Sequence, residues 1–109
     1  MNAREVVEGY EAVLATSLRM RDAARRSEWE NLVVLDEQRF ALLRNLLAED
    51  GGDLGLDELN QKKISLIHAI LDCDVETGAL TKVWMAELRQ ILDSIGTEKK
   101  LGDAYASSE

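Results

Sequence analysis

The chain has 109 residues, a formal charge of −8, no proline and one cysteine. That length holds one modest core, the acidic balance excludes a basic surface for nucleic-acid phosphates, and a lone Cys73 excludes an internal disulfide framework. Hydrophobic residues at 46% and charged residues at 31% are a globular composition, and the lack of proline permits long helices throughout.

A first helix is predicted over residues 3–26. Val6, Tyr10, Val13, Ser17, Met20 and Ala24 recur at alternating steps of four and three, and Val7, Leu14 and Leu18 widen that face. Arg25 and Arg26 close it, where cations suit a helix C-terminus. In "SEWE", Ser27 and Glu30 have the spacing of a capping box, so a second helix is predicted to begin at Glu28. It continues through "WENLVVLDEQRFALLRNLLAED" and stops before Gly51-Gly52.

The glycine-rich loop "GGDLGL" follows, and Asp57 is predicted to cap a third helix with Glu58 in its first turn. Its stripe is Leu59, Ile64, Ile67, Ile70 and Leu71, then Trp84, Leu88, Ile91, Leu92 and Ile95, with Gly96 closing it. The stripe fades at "DCDVETG", where Gly78 costs about 1 kcal/mol relative to alanine. Continuity through Gly78 is nevertheless expected. After Gly96, "TEKKLGDAYASSE" has material for a short helical segment only, with Leu101, Ala104 and Tyr105 on one side. The predicted fold is all-α. It is an elongated antiparallel three-helix bundle over residues 1–96, with a short C-terminal helical segment, residues 97–109, as a tail.

Chemistry-bearing residues are sparse. His68 in "SLIHAIL" has no second histidine or cysteine at metal spacing, and reads as a surface or partly buried imidazole. Cys73 lacks a CxxC partner and reads as a small core residue. Asp72, Asp74 and Glu76 suggest a calcium loop, but Gly78 comes one place too late and Val83 stands where the closing glutamate belongs. No phosphate-binding or nucleophile motif occurs, so no catalytic residue, metal or cofactor is expected. "LDELNQKKISLIHAILD" is faintly similar to the first helix of helical-bundle chorismate mutases, whose dicarboxylate site needs several cations. This segment offers Lys62 and Lys63, and the next arginine is Arg89, so an enzyme is a remote alternative. The opening "MNAREVVEGYEAV" has no apolar core of signal-peptide length, and no apolar run approaches the ~20 residues of a membrane span. A cytoplasmic protein without membrane insertion or direct nucleic-acid binding is expected.

The second helix carries more apolar residues than one seam needs, since a bundle face uses about three positions in seven. Leu32, Leu35, Leu42 and Leu46 lie broadly together, with Val33, Phe40, Leu43 and Leu47 beside them. The late third helix has a similar surplus. A client groove is therefore expected from Val33, Phe40, Leu43 and Leu47 with Leu80, Val83, Trp84 and Leu88. The competing use of the same residues is bundle core or a homodimer seam.

Two stretches carry a resemblance, "RRSEWENLVVLDEQRFALLRNL" and "LTKVWMAELRQILDSIGTEKKLGDAYA". Preceded by an amphipathic helix, they resemble the flagellar export chaperone FliT family over most of the chain. The matching positions are Glu28, Trp29, Leu32, Glu37, Phe40 and Leu43, then Leu88, Leu92, Ile95, Gly96, Lys100, Leu101, Ala104 and Tyr105. The resemblance implies a cytoplasmic chaperone of the filament-cap protein FliD. Such a chaperone holds the FliD C-terminal segment and delivers it to the flagellar export ATPase and its associated export proteins. In some bacteria it also opposes the flagellar master regulator FlhDC, and a coiled-coil regulator acting mainly on FlhDC is the alternative function. The family's C-terminal helix can cover the client site, which makes Lys100, Leu101, Ala104 and Tyr105 a regulatory tail. Burying Leu101 and Tyr105 together is worth about 3–6 kcal/mol. Ordering the tail costs about 1–2 kcal/mol per residue, so a displaceable latch anchored by Tyr105 is expected.

Overall fold

Three helices make the fold: α1 (Ala3–Arg25), α2 (Trp29–Glu49) and α3 (Asp57–Ser107). The computed structural model describes the backbone of residues 1–107 and the side chains of residues 1–95. The chain divides into two compact units, Met1–Gly78 and Ala79–Glu109. All-α architecture is as the periodicity predicts, and among the described residues there is no strand.

The first turn of α1 is held by a capping box made by Asn2 and Glu5. The Asn2 side chain accepts from the Glu5 N–H at 2.9 Å, and the Glu5 carboxylate accepts from the Asn2 N–H at 3.4 Å. Beyond it, α1 buries Val6, Tyr10, Val13, Ser17, Met20 and Ala24, the stripe read from the sequence, together with Val7, Thr16 and Ala23.

The predicted capping box at Ser27 does not form. Ser27 has a φ of 57°, in the left-handed region, and its N–H donates to the Ala24 carbonyl while the Glu28 N–H donates to the Ala23 carbonyl at 2.8 Å. These bonds are a Schellman stop for α1. A serine turned left-handed to end one helix lacks the extended backbone that an N-cap needs. Glu28 therefore stands at the N-cap of α2, without a side-chain hydrogen bond.

α2 returns antiparallel to α1, with Leu32, Leu35 and Leu46 buried. Gly9 permits the close approach: a Cβ there would lie 2.7 Å from Leu46 Cδ1. Gly52 and Gly55, at φ of 100° and 86°, turn the chain. Asp57 is the first residue inside α3 rather than its cap, where its carboxylate faces the positive end of the helix dipole. Val6, Tyr10, Val13, Leu46 and Ile70 form the core of the first unit, with Leu14, Leu43, Leu54, Leu66 and Ile67 packed against it.

α3 is continuous through Gly78. It also continues through Gly96, where the sequence reading closed it, so the C-terminal helical segment is an extension of α3. One glycine costs only about 1 kcal/mol in a helix, and Glu98, Lys99, Lys100 and Leu101 beyond it are good helix formers. In the second unit, Val83, Met85, Ile91, Leu92 and Ile95 are exposed, and Leu80, Trp84 and Leu88 are half-buried.

The left-handed Ser27 gives a direct test. A non-glycine residue there costs about 1 kcal/mol. Ser27→Gly is expected to raise the midpoint of thermal unfolding by about 4–8 °C, measured by circular dichroism. A lowered midpoint contradicts the assigned helix stop.

Candidate functional site

Within Met1–Gly78, three polar contacts fix α3 against the other two helices. At one end, the Asp50 carboxylate accepts from Tyr10 Oη at 2.6 Å, from the Gly52 N–H at 2.9 Å and from Lys63 Nζ at 2.8 Å. Lys63 also donates to the Gly52 carbonyl at 2.6 Å, and its Nζ lies 5.9 Å from the centre of the Tyr10 ring. The Asp50 and Lys63 side chains are only 7% and 12% exposed. Burial pushes the Asp50 carboxyl up, but the hydrogen bonds from Lys63, Tyr10 and Gly52 outweigh it and hold the group below its usual range. Burial, then the hydrogen bond to Asp50 and its charge, push the Tyr10 hydroxyl up to about 12.

Halfway along, Arg39 of α2 donates to Ser17 Oγ of α1 at 3.1 Å and to Asp74 Oδ1 of α3 at 2.5 Å. At the far end, Arg25 of α1 meets Glu76 of α3 through two hydrogen bonds, at 2.5 and 2.8 Å. Two of the three acids that suggested a calcium loop are thus paired with arginines. The Cys73 thiol is buried, as the sequence suggests, and donates to the Ser17 carbonyl at 3.2 Å. Burial pushes its pKa up. His68 is exposed. Lys62 pairs with Glu11, and Lys63 with Asp50, so both lysines of the mutase-like segment are engaged by carboxylates.

Three helices leave three grooves between them. The α1/α2 groove, about 290 Å³, sets Arg19, Asp22, Ala23 and Arg26 against Glu28, Asn31 and Leu35. The α1/α3 groove, about 440 Å³, sets Leu14 and Leu18 against Ala69, Asp72 and Cys73. These linings identify the flank that each of α2 and α3 turns toward α1. A helix advances about 100° per residue. Val33, Phe40 and Leu47 therefore share the other flank of α2, and Ile64, Leu71 and Val75 share the other flank of α3. Both stripes border the α2/α3 seam beside half-buried Leu43 and Ile67. The pairs Asp50–Lys63 and Arg39–Asp74 set the antiparallel register, bringing Leu47 level with Ile64 and Phe40 level with Leu71 and Val75.

The predicted groove residues divide between the units. Val33, Phe40 and Leu47 are 49%, 65% and 63% exposed in the first, where Leu43 also lies. Leu80, Val83, Trp84 and Leu88 belong to the second. The side chains of Lys100, Leu101, Ala104 and Tyr105 lie outside the described residues. Sequence reasoning did not single out Ile64, Leu71 and Val75 as surface residues, and placed Ile64 and Leu71 in one apolar stripe with Ile67 and Ile70. The available signal was the width of that stripe, which exceeds one seam. Periodicity cannot say which of two adjacent stripes faces inward.

The family model for the flagellar protein FliT matches residues 7–107. The chain belongs to the FliT family. A flagellar protein FliT of Citrobacter koseri is 24% identical over 98 residues, covering 90% of this chain and 81% of the other. No solved structure matches. FliT membership makes this a flagellar protein of an export-chaperone family, with partners in flagellar export. No helix among the described residues is long and apolar enough to cross a membrane.

The Tyr10–Asp50 contact predicts an alkaline loss of stability. Tyr10 holds its proton more tightly folded than unfolded. Its contribution is therefore complete below pH 10 and disappears as pH rises from 10.0 to about 12. The loss amounts to about 2–3 kcal/mol. Urea unfolding across that range should show it in the parent and a clearly smaller loss in Tyr10→Phe; equal losses refute the assignment.

Proposed function

We propose that the chain is a cytoplasmic, non-enzymatic export chaperone that binds the C-terminal segment of the filament-cap protein FliD. In this reading it prevents premature assembly of FliD and passes it to the export ATPase and its associated proteins. The master regulator FlhDC is a further partner of the same kind.

One observation carries the proposal. α1 buries nine residues, whereas the α2/α3 side of the first unit leaves Phe40, Leu47, Ile64, Leu71 and Val75 between 53% and 75% exposed. An apolar seam flanked by two helices accepts the apolar face of a third, with anchors one turn apart. Such a surface suits holding an amphipathic segment without reacting with it. The stretch around Val83 in the second unit is a separate apolar surface for the client. The tail, residues 97–109, is proposed as a displaceable regulator of client binding, with Tyr105 as its anchor.

Calorimetric titration with the C-terminal segment of FliD from the same organism tests this. The parent is expected to bind at micromolar affinity or better. Phe40→Asp combined with Leu71→Asp should weaken binding at least tenfold while helicity survives, because each removes an anchor of about 1.5–3 kcal/mol. Val83→Asp asks the same of the second unit. A chain ending at Gly96 should bind more tightly if the tail regulates. No binding by the parent or by the shortened chain refutes the FliD assignment. Binding unaffected by the double substitution moves the client site off the α2/α3 side.

A further inference from the structure

α3 carries a glycine that nothing in its surroundings requires. Gly78 is exposed inside the helix, and a Cβ built there meets nothing within 4 Å. Its backbone is helical, and the left-handed glycines among the described residues are Gly52 and Gly55 of the loop. Neither close packing nor an unusual φ therefore calls for glycine at 78, although its freedom weakens a helix relative to alanine.

The turn before Gly78 is tied to the other helices by polar and small side chains. Arg39 holds Asp74, Arg25 holds Glu76 through both of its hydrogen bonds, and Thr77 is buried. Between Ile70 and Leu80 the large apolar residues are Leu71 and Val75, 55% and 75% exposed, while the buried positions hold Cys73 and Thr77. A stretch of helix with so little buried apolar contact draws little strength from packing. Thr77 loosens the ladder as well. Its Oγ1 donates to the Cys73 carbonyl at 3.2 Å, the carbonyl that also takes the Thr77 N–H in an α-helix. Such back-bonding of a threonine to the preceding turn slightly destabilises a helix and favours bending. Directly after it, Gly78 and Ala79 are both exposed, and the first compact unit ends between them.

We propose that Gly78 is a hinge built into α3. The pairs at Lys63, Asp74 and Glu76 fix the helix before it to the rest of the first unit. Beyond it the helix pivots, by opening the backbone hydrogen bonds that run from the N–H groups of residues 79–82 to the carbonyls of residues 75–78. The pivot leaves Leu71 and Val75 with the fixed part and carries Val83 with the moving part. Two apolar surfaces of one chain then meet a partner at different angles while the core stays closed. The hinge is a property of α3 alone, so it stands whether or not FliD binds.

Nuclear magnetic resonance on the isotopically labelled full chain tests the hinge, with the parent compared against Gly78→Ala. The open space around Gly78 receives the added methyl group without a clash, so the variant keeps the fold. In the parent, residual dipolar couplings of residues 63–77 and 79–95 should require two alignment frames. Its amides 79–82 should exchange with solvent about tenfold faster than amides 70–74. In the variant the two frames should draw together. Amides 79–82 should exchange about fivefold more slowly than in the parent, while amides 70–74 keep their rates. A single frame in the parent, unchanged exchange at 79–82 in the variant, or equal slowing along the whole helix each overturns the proposal.

Discussion

The register of α3 against α2 depends on two charge pairs, Asp50–Lys63 and Arg39–Asp74. Apolar stripes alone would tolerate a slip of one turn, because leucine and isoleucine on neighbouring turns are nearly interchangeable. A carboxylate 7% exposed and an ammonium 12% exposed are not interchangeable with anything one turn away. A slip would strand both charges without partners, at about 3–5 kcal/mol for a broken buried pair. Tyr10 ties the same carboxylate to α1, and Arg39 ties Asp74 to Ser17, so one set of polar contacts positions all three helices. The facing of Phe40 toward Leu71 follows from that alignment.

The helices of the first unit divide their apolar residues unequally. α1 buries the six residues of its main stripe, from Val6 to Ala24, and leaves only Leu18 at its edge exposed among the large apolar residues of that face. α2 buries Leu32, Leu35 and Leu46 and leaves Val33, Phe40 and Leu47 toward solvent. Stability needs only one covered face per helix, so an extra stripe at another heptad position adds nothing to the isolated fold. The proposed client site would give that surplus a purpose, since a surface for an apolar segment must stay uncovered until the segment arrives.

Much of this was legible in the residues. The α1 stripe is unambiguous because Val6, Tyr10, Val13, Ser17, Met20 and Ala24 leave no competing face. The surplus on α2 was visible as a second stripe, of which Val33, Phe40 and Leu47 are exposed while Leu43 packs against the core. The failures share a cause, in that one local pattern can serve two structures. S-x-x-E reads as a cap for α2, but the serine is used by the preceding helix end. Gly96 reads as a stop, but a stop requires a left-handed turn, and the residues after it favour continuation. Ile64, Ile70 and Leu71 read as one stripe, because nothing local shows that the partners of Lys63 and Asp74 turn α3 to bury Ile70 and leave the other two exposed.

Cys73 has one more consequence. Its thiol lies beneath α1, bonded to the Ser17 carbonyl, with its pKa raised by burial, so a thiol reagent meets almost no thiolate while α1 and α3 remain together. The side chain is a natural clock. Its rate of modification in a protein with no other cysteine counts how often these two helices part, separately from the unfolding of the whole chain.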